Sequence, residues 1–145
     1  MIDSFSGPNQ FLSNFYYSEV ELGNIVYPTV EHAFQAAKTL DPIQRSNIAL
    51  METADKAKRF GRQVNLRPDW EDIKCNVMLY LLRQKFTGTG LENALVATGS
   101  QELIEGNTWH DAYWGVCNGV GKNMLGILLM KVRGELQMIR RIVNG

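Results

Sequence analysis

The sequence predicts an α+β fold dominated by helices: one compact domain over residues 1–145 with a small antiparallel sheet near its N-terminus. Three observations predict it. Only Val20 to Tyr27 reads as a hairpin, with Gly23-Asn24 as a two-residue turn that suits strand twist. Most of the remaining chain follows the 3.6-residue spacing of amphipathic helices, bracketed by capping residues and by Gly or Pro. The 145 residues, 45% of them hydrophobic, suit one core, and no repeat, low-complexity tract or linker suggests a boundary.

In chain order, Gln10 to Tyr17 is an aromatic-rich segment, expected to be extended, interrupted by polar Ser13 and Asn14. A buried Asn14 needs several hydrogen-bond partners, of which a ligand can be one; a local cap or turn explains it equally well. After the hairpin, Thr29 is a good N-cap for a first helix in which Val30, Ala33, Phe34 and Ala37 form the buried face. Glu31, Gln35 and Lys38 line a neighbouring polar stripe, so an acid, an amide and an ammonium leave one rigid element together. On spacing alone, Glu31 is most simply a first-turn acid complementing the helix dipole.

Asp41-Pro42 begins a second helix and Thr53 caps a third, with Ala54, Ala57 and Phe60 inward and Gly61 at its end. Its outer side carries Lys56, Lys58, Arg59 and then Arg62, a group that suits phosphate but more often marks a solvated face. Pro68 is expected to open the longest helix, running to about Phe86, with Trp70, Ile73, Val77, Tyr80 and Leu81 buried. Trp70 reads as a core plug or a pocket wall, the former being the commoner role. Leu91 to Thr98 is a short helix closed by Gly99, and Leu103-Ile104-Glu105 is a brief strand or turn. Leu125, Leu128, Leu129, Val132, Leu136 and Ile139 define a strongly apolar last helix, whose amide-rich start suits an anion.

Between these helices lies Trp109 to Asn123, with neither helical nor strand periodicity. It sets Trp109, Tyr113 and Trp114 beside His110, Asp111 and Lys122, spaced by Gly115, Gly119 and Gly121. Aromatics supply flat apolar walls, glycines allow close approach to the backbone, and an acid among them sits partly dry. This loop is the natural seat of a site.

The totals exclude several classes. The formal net charge is zero, which argues against a broad nucleic-acid footprint though not against a small phosphate site. Cys75 and Cys117 form no metal or redox spacing, no signal-peptide pattern opens the chain, and no apolar run approaches the ~18 residues of a membrane span. A reduced, cytoplasmic protein with no metal and no cofactor is expected. His32 and His110 lack ligand partners at useful offsets, and no nucleophile elbow, dinucleotide fingerprint or P-loop is present.

Several blocks stand out together: Phe11-Leu-Ser-Asn-Phe15, Glu31-His-Ala-Phe-Gln-Ala-Ala-Lys38, Ala57 with Gly61-Arg62, Trp70, and Lys85-Phe86. Further along come Thr98-Gly99 before Leu103-Ile-Glu105, Asp111-Ala-Tyr-Trp-Gly115, and Gly121-Lys-Asn-Met-Leu-Gly-Ile-Leu-Leu-Met130 with Arg133. In this order, across nearly the whole chain, they resemble the NADAR family, which includes the YbiA-type N-glycosidases; Val30 stands where many members have Ser.

The resemblance implies cleavage of the bond between a ribose C1 and a base nitrogen. One branch of the family hydrolyses phosphoribosylamino-pyrimidine intermediates of riboflavin synthesis. The other removes ADP-ribose from guanine in nucleic acid, often against a toxin from the same genome. It implies a ribosylated nucleotide or ADP-ribose-type ligand, in ADP-ribosylated DNA in the second branch, and no membrane partner. Such a reaction needs a carboxylate to stabilise oxocarbenium charge or activate water, and a group to protonate the leaving base. The resemblance assigns Glu31 and Asp111 to this pair, with Asp111 expected as the partner of the sugar or water, and the acid and base roles left open between them. Asn14 and Glu105 join the binding residues. Phe15 and Trp114 would stack on base or ribose, Trp70 would wall the pocket, and Lys38 and Arg62 would hold phosphate. Gly115, Gly121 and Asn123 would bring backbone amides to the pyrophosphate. We expect ADP-ribosyl-guanine hydrolysis first, the riboflavin intermediate second, and a non-catalytic nucleotide-binding module third.

Overall fold

The computed structural model describes residues 1–145, which fall into two compact units. One unit comprises residues 14–85. Its hairpin pairs β1 (Val20–Leu22) with β2 (Ile25–Tyr27) in antiparallel register, Val20 opposite Tyr27 and Leu22 opposite Ile25. Gly23 and Asn24 have φ of 56° and 67°, the left-handed pair that a two-residue turn between right-twisted strands requires.

Helix α1 (Val30–Ala37) follows. The Thr29 hydroxyl accepts the His32 amide at 3.1 Å, closing the first turn as the sequence predicts. Helix α2 (Pro42–Ala49) is capped by Asp41, which accepts from the Ile43 amide at 2.9 Å. Helix α3 (Ala54–Gly61) is capped by Thr53, which accepts from the Lys56 amide at 3.1 Å. Both α2 and α3 pack on α1, as does the hairpin, and every residue of α1 is buried. A helix enclosed on all sides is normally apolar throughout. This one encloses Glu31, His32 and Gln35.

Helix α4 (Trp70–Phe86) begins two residues later than Pro68 predicts. Arg67 pairs with Asp69 at 2.7 Å across the proline, and the Asp69 carbonyl accepts the Ile73 amide, so the turn before the helix is held by its own bonds. Trp70, Met78, Leu81 and Leu82 are buried, but Tyr80 is 52% exposed and does not belong to the stripe. Tyr80 lies next to Leu81, and the stripe drawn through both is wider than the face this helix covers.

The second unit comprises residues 1–13 and 86–145. Residues 7–12 form a short 3-10 helix instead of the expected extended segment, with Pro8 in its first turn and Leu12 buried; Asn14 and Phe15 then lie in a turn. Proline's fixed φ favours the turn over the extended chain that aromatic content suggests. Helix α5 (Glu92–Ala97) is one residue shorter at each end than predicted. Leu103 bridges Ile2, and β3 (Gly106–Asn107) pairs in parallel with β4 (Val116–Cys117), so the loop expected to lack regular structure contains a two-residue strand.

Helix α6 (Met124–Asn144) buries Leu125, Leu128, Leu129, Val132 and Leu136 as its spacing predicts. Ile139 is 53% exposed and falls outside that stripe. Arg133 is buried and donates to the Thr98 hydroxyl at 3.0 Å and the Gln101 carbonyl at 2.8 Å, anchoring the segment after α5. No helix is long and apolar enough to cross a membrane.

Candidate active site

The 14–85 unit gathers an acid, an amide and cations around α1. Glu31 is 7% exposed, and its Oε2 accepts from Gln35 Nε2 at 3.0 Å, one turn on. The Glu31 amide donates to the Asn14 carbonyl at 3.0 Å, which ties the turn after the 3-10 helix to the start of α1. A dipole-complementing acid would sit in solvent; this one is buried with a polar neighbour, which costs free energy and calls for another reason.

Lys38 closes α1 and is half-buried. Burial pulls its ammonium below the usual lysine range; Glu31 opposes that shift, while Arg62 and Lys58 add to it. Lys38 at the end of α1 is therefore in electrostatic reach of one carboxylate, Glu31 on α1, and of two cations, Lys58 on α3 and Arg62 just after it. Arg62 is exposed, and Lys58 lies 5.9 Å from the centre of the Phe15 ring, itself 42% exposed. Cations partly removed from water beside an acid favour an incoming anion.

Asn14 is buried; its Nδ2 donates weakly to Met78 Sδ at 3.6 Å, and its Oδ1 has no partner within the protein. Gln35 Oε1 is likewise buried and unpartnered. Trp70 is 6% exposed and packs, tilted by 56° with ring centres 5.0 Å apart, against Phe34, the α1 residue between Glu31 and Lys38. It braces the polar stripe from the apolar side.

His32 has a structural role. Its Nε2 lies 3.0 Å from the Met51 carbonyl, which only accepts, so Nε2 carries the proton and Nδ1 accepts from the Thr29 hydroxyl at 2.7 Å. Burial lowers its pKa, partly offset by the Met51 bond. Lys85 is buried, lies 5.7 Å from the Tyr16 ring centre, and is pulled down to about 7 by burial.

The second unit orders the Trp109–Asn123 loop around Asn107 and Asp111. Asn107 Nδ2 donates to Glu105 Oε2 and to the Asp111 carbonyl, both at 2.9 Å, and its Oδ1 accepts the Asp111 amide at 3.1 Å. Asp111 Oδ1 accepts the amides of Tyr113 at 3.1 Å and Trp114 at 2.9 Å, an acid-held turn. Trp114 meets Tyr113 edge-on at 4.9 Å, and Lys122 Nζ lies 5.5 Å from the centre of the Tyr113 ring.

Gly115 and Gly121 admit the protein's own chain. A Cβ on Gly115 would lie 1.8 Å from Glu105 Oε2, and one on Gly121, whose φ is 156°, would lie 2.1 Å from the Gly115 carbonyl. Asn123 adopts left-handed φ of 55°. Its Oδ1 accepts the Glu105 amide and its Nδ2 donates to the Leu103 carbonyl, each at 2.9 Å. The amides of Asn123, Met124 and Leu125 donate to the carbonyls of Gly115, Tyr113 and Trp114. The start of α6, expected to offer its amides to an anion, has these three engaged by the loop that precedes it.

Of the residues named from sequence, the structure brings Asn14, Phe15, Glu31, Lys38, Arg62 and Trp70 to the surroundings of α1. Glu105, Asp111, Trp114, Gly115, Gly121 and Asn123 belong to the loop of the other unit. Sequence reasoning placed Gln35 on the polar stripe and Lys58 in a charge run without assigning either to a site. Asn107 went unnoticed, although an Asn four residues before an Asp can bridge backbone groups across a turn.

The comparisons with known proteins agree with the blocks quoted above. The NADAR domain family matches residues 3–137. N-glycosidase YbiA of Shigella flexneri is 42% identical over 128 residues, covering 86% of this chain and 79% of that protein. A riboflavin biosynthesis protein of Vibrio vulnificus is 40% identical over 131 residues, 88% of this chain but 35% of that protein, so the chain spans about a third of its length. The solution structure of Escherichia coli YbiA superimposes with a TM-score of 0.83 at 37% identity, covering 97% of this chain and 89% of that one, and shares the helix-dominated α+β fold. Family match, relatives and fold converge: this chain is a member of the NADAR family.

Proposed function

We propose that this chain hydrolyses the C1–N bond of ADP-ribosylated guanine, with Glu31 as the carboxylate that acts at the ribose. The glycosidase class rests on family membership and on relatives named N-glycosidase. The observation that carries the assignment within this chain is a buried carboxylate on α1 coupled to Lys38, which itself lies within electrostatic reach of Lys58 and Arg62. A ribosyl phosphate or diphosphate needs this combination: cations for the phosphate oxygens, and an acid where positive charge develops on the sugar.

In this reaction water adds to C1 as the C1–N bond breaks. Glu31 takes the proton from the attacking water and, being anionic as the bond loosens, stabilises the oxocarbenium character of C1. The bond's electron pair leaves with the guanine nitrogen, which takes up a proton equivalent to the one Glu31 removes from water; the products are unmodified guanine, still in the nucleic acid, and ADP-ribose hydroxylated at C1. Asp111 is proposed as a second carboxylate on its motif. Its Oδ1 also holds the Tyr113–Trp114 turn, so its substitution tests chemistry and loop order together. Phe15, exposed beside Lys58, suits stacking on a base. Three cations, Lys38 with Lys58 and Arg62 in its reach, suit the diphosphate of ADP-ribose better than a single phosphate.

A second reading, hydrolysis of a phosphoribosylamino-pyrimidine, is favoured by the riboflavin biosynthesis name of the Vibrio relative. Purified protein would be given, in parallel, an oligonucleotide bearing ADP-ribosylated guanine and a ribosylaminopyrimidine phosphate, with products separated chromatographically. Release of ADP-ribose that vanishes in Glu31→Gln supports the first reading. Release of ribose 5-phosphate alone replaces it with the second. If both substrates stay intact, the glycosidase assignment of the site falls and calorimetry with ADP-ribose tests for a binding module. On the first reading, the partner is DNA modified by an ADP-ribosyl-transferring toxin.

A further inference from the structure

We infer that Gly61 and Gln35 form a positioning device for the Glu31 carboxylate: the missing side chain at position 61 leaves the space in which the Gln35 amide turns its N–H toward Glu31. The inference deepens the proposed function and rests on its assignment of Glu31.

Gly61 is the last residue of α3 and is buried against α1. Its φ is not in the left-handed region, so backbone conformation does not require glycine there. Space does. A Cβ at position 61 would lie 2.0 Å from Gln35 Oε1, 2.7 Å from its Cδ and 3.0 Å from its Cβ. The first two distances cannot be tolerated, so any larger residue drives the Gln35 side chain out of place.

The amide is set in one orientation. Nε2 donates to Glu31 Oε2 at 3.0 Å, and Oε1, turned toward Gly61, is buried without a partner. Leaving a buried acceptor unpaired is unfavourable, and the turned-over amide would aim a carbonyl at an anionic carboxylate. Oriented this way, the amide presents a donor to Glu31 Oε2, and a donated hydrogen bond favours the ionised form of a carboxyl group. Glu31 couples electrostatically to Lys38, which is also in reach of Lys58 on α3 and Arg62 just beyond it, and none of these side chains is replaced by changing position 35 or 61. Gln35 and Gly61 are positioning residues; they act through Glu31.

The test uses full-length Gln35→Met, Gln35→Ala, Gly61→Ala and the double variant Gln35→Ala with Gly61→Ala, with two readouts. In the glycosidase assay, Gln35→Met is expected to lower kcat about 10-fold with KM within about twofold, and to move the acid limb of kcat/KM to higher pH. Gly61→Ala gives the same pattern in the wild-type background and adds little to Gln35→Ala, because the group it displaces is already gone. The second readout does not need turnover: carboxyl carbon NMR follows the Glu31 titration, whose midpoint rises in Gln35→Met and in Gly61→Ala. An unmoved midpoint in folded Gln35→Met, or additive losses in the double variant, overturns the inference. An inactive wild type with a moved midpoint instead removes the proposed reaction and leaves the positioning device standing.

Discussion

Glu31 and Asp111 are both acids in polar, partly enclosed surroundings, and the fold holds them in different ways. Glu31 sits on a helix buried on every side, and its Oε2 accepts a hydrogen bond from another side chain, Gln35. Asp111 sits half-exposed in a loop, and its Oδ1 is engaged by two backbone amides. An acid that holds backbone amides has a structural reason to be there. The helix dipole does not account for a buried acid at Glu31, since a solvent-facing acid in the first turn would serve the dipole as well. That difference is why Glu31 is given the principal chemical role.

Substitutions sharpen the contrast in order of expected size. Glu31→Gln keeps the shape and removes the charge; kcat should fall by about 10³-fold with the fold intact, as judged by circular dichroism and steady-state kinetics. Asp111→Asn retains an oxygen for the two amides, so its thermal midpoint should stay near wild type while Asp111→Ala loses about 1–2 kcal/mol of stability. A kcat loss in Asp111→Asn would report chemistry; normal kcat would confine Asp111 to the loop. Lys38→Ala and Arg62→Ala should raise KM about 10-fold with little change in kcat, and the Arg62 effect should shrink at high salt, because Arg62 is exposed.

Lys85 supplies a pH prediction. Its folded pKa is pulled down to about 7 from an ordinary value of 10.5, so between these pH values the unfolded chain binds more protons than the folded one. Stability contributed at this site therefore rises with pH from about 7 to 10.5 and is lost on going back down. Lys85→Met should flatten that rise in urea midpoints measured across the range. Smallest of all, Arg59→Ala, which breaks an exposed pair with Asp55, should change stability by less than about 0.5 kcal/mol.

Local chemistry was legible in the sequence wherever the answer lay within a few residues. Thr29, Asp41 and Thr53 cap the helices predicted for them, and Gly23-Asn24 makes the predicted turn. The 3-10 helix at residues 7–12 is not legible from the aromatic run Gln10 to Tyr17, because Pro8, which sets its first turn, lies outside that run. The burial of Glu31 was not legible: it depends on α2 and α3 packing on α1, and spacing alone supported the dipole reading. Gly61 read as a helix stop, which it is, but its second role is defined only by the Gln35 side chain against it. The loop glycines were expected to admit a ligand; Glu105 and the Gly115 carbonyl occupy the positions their side chains would take.

The most direct test of the central claim is a paired measurement of turnover and affinity on one glycosidic substrate by wild type and Glu31→Gln. The account predicts that kcat falls by about 10³-fold in Glu31→Gln while the dissociation constant of unreacted substrate stays within about threefold. Turnover within about tenfold of wild type would contradict it, and so would a loss appearing wholly as weakened binding.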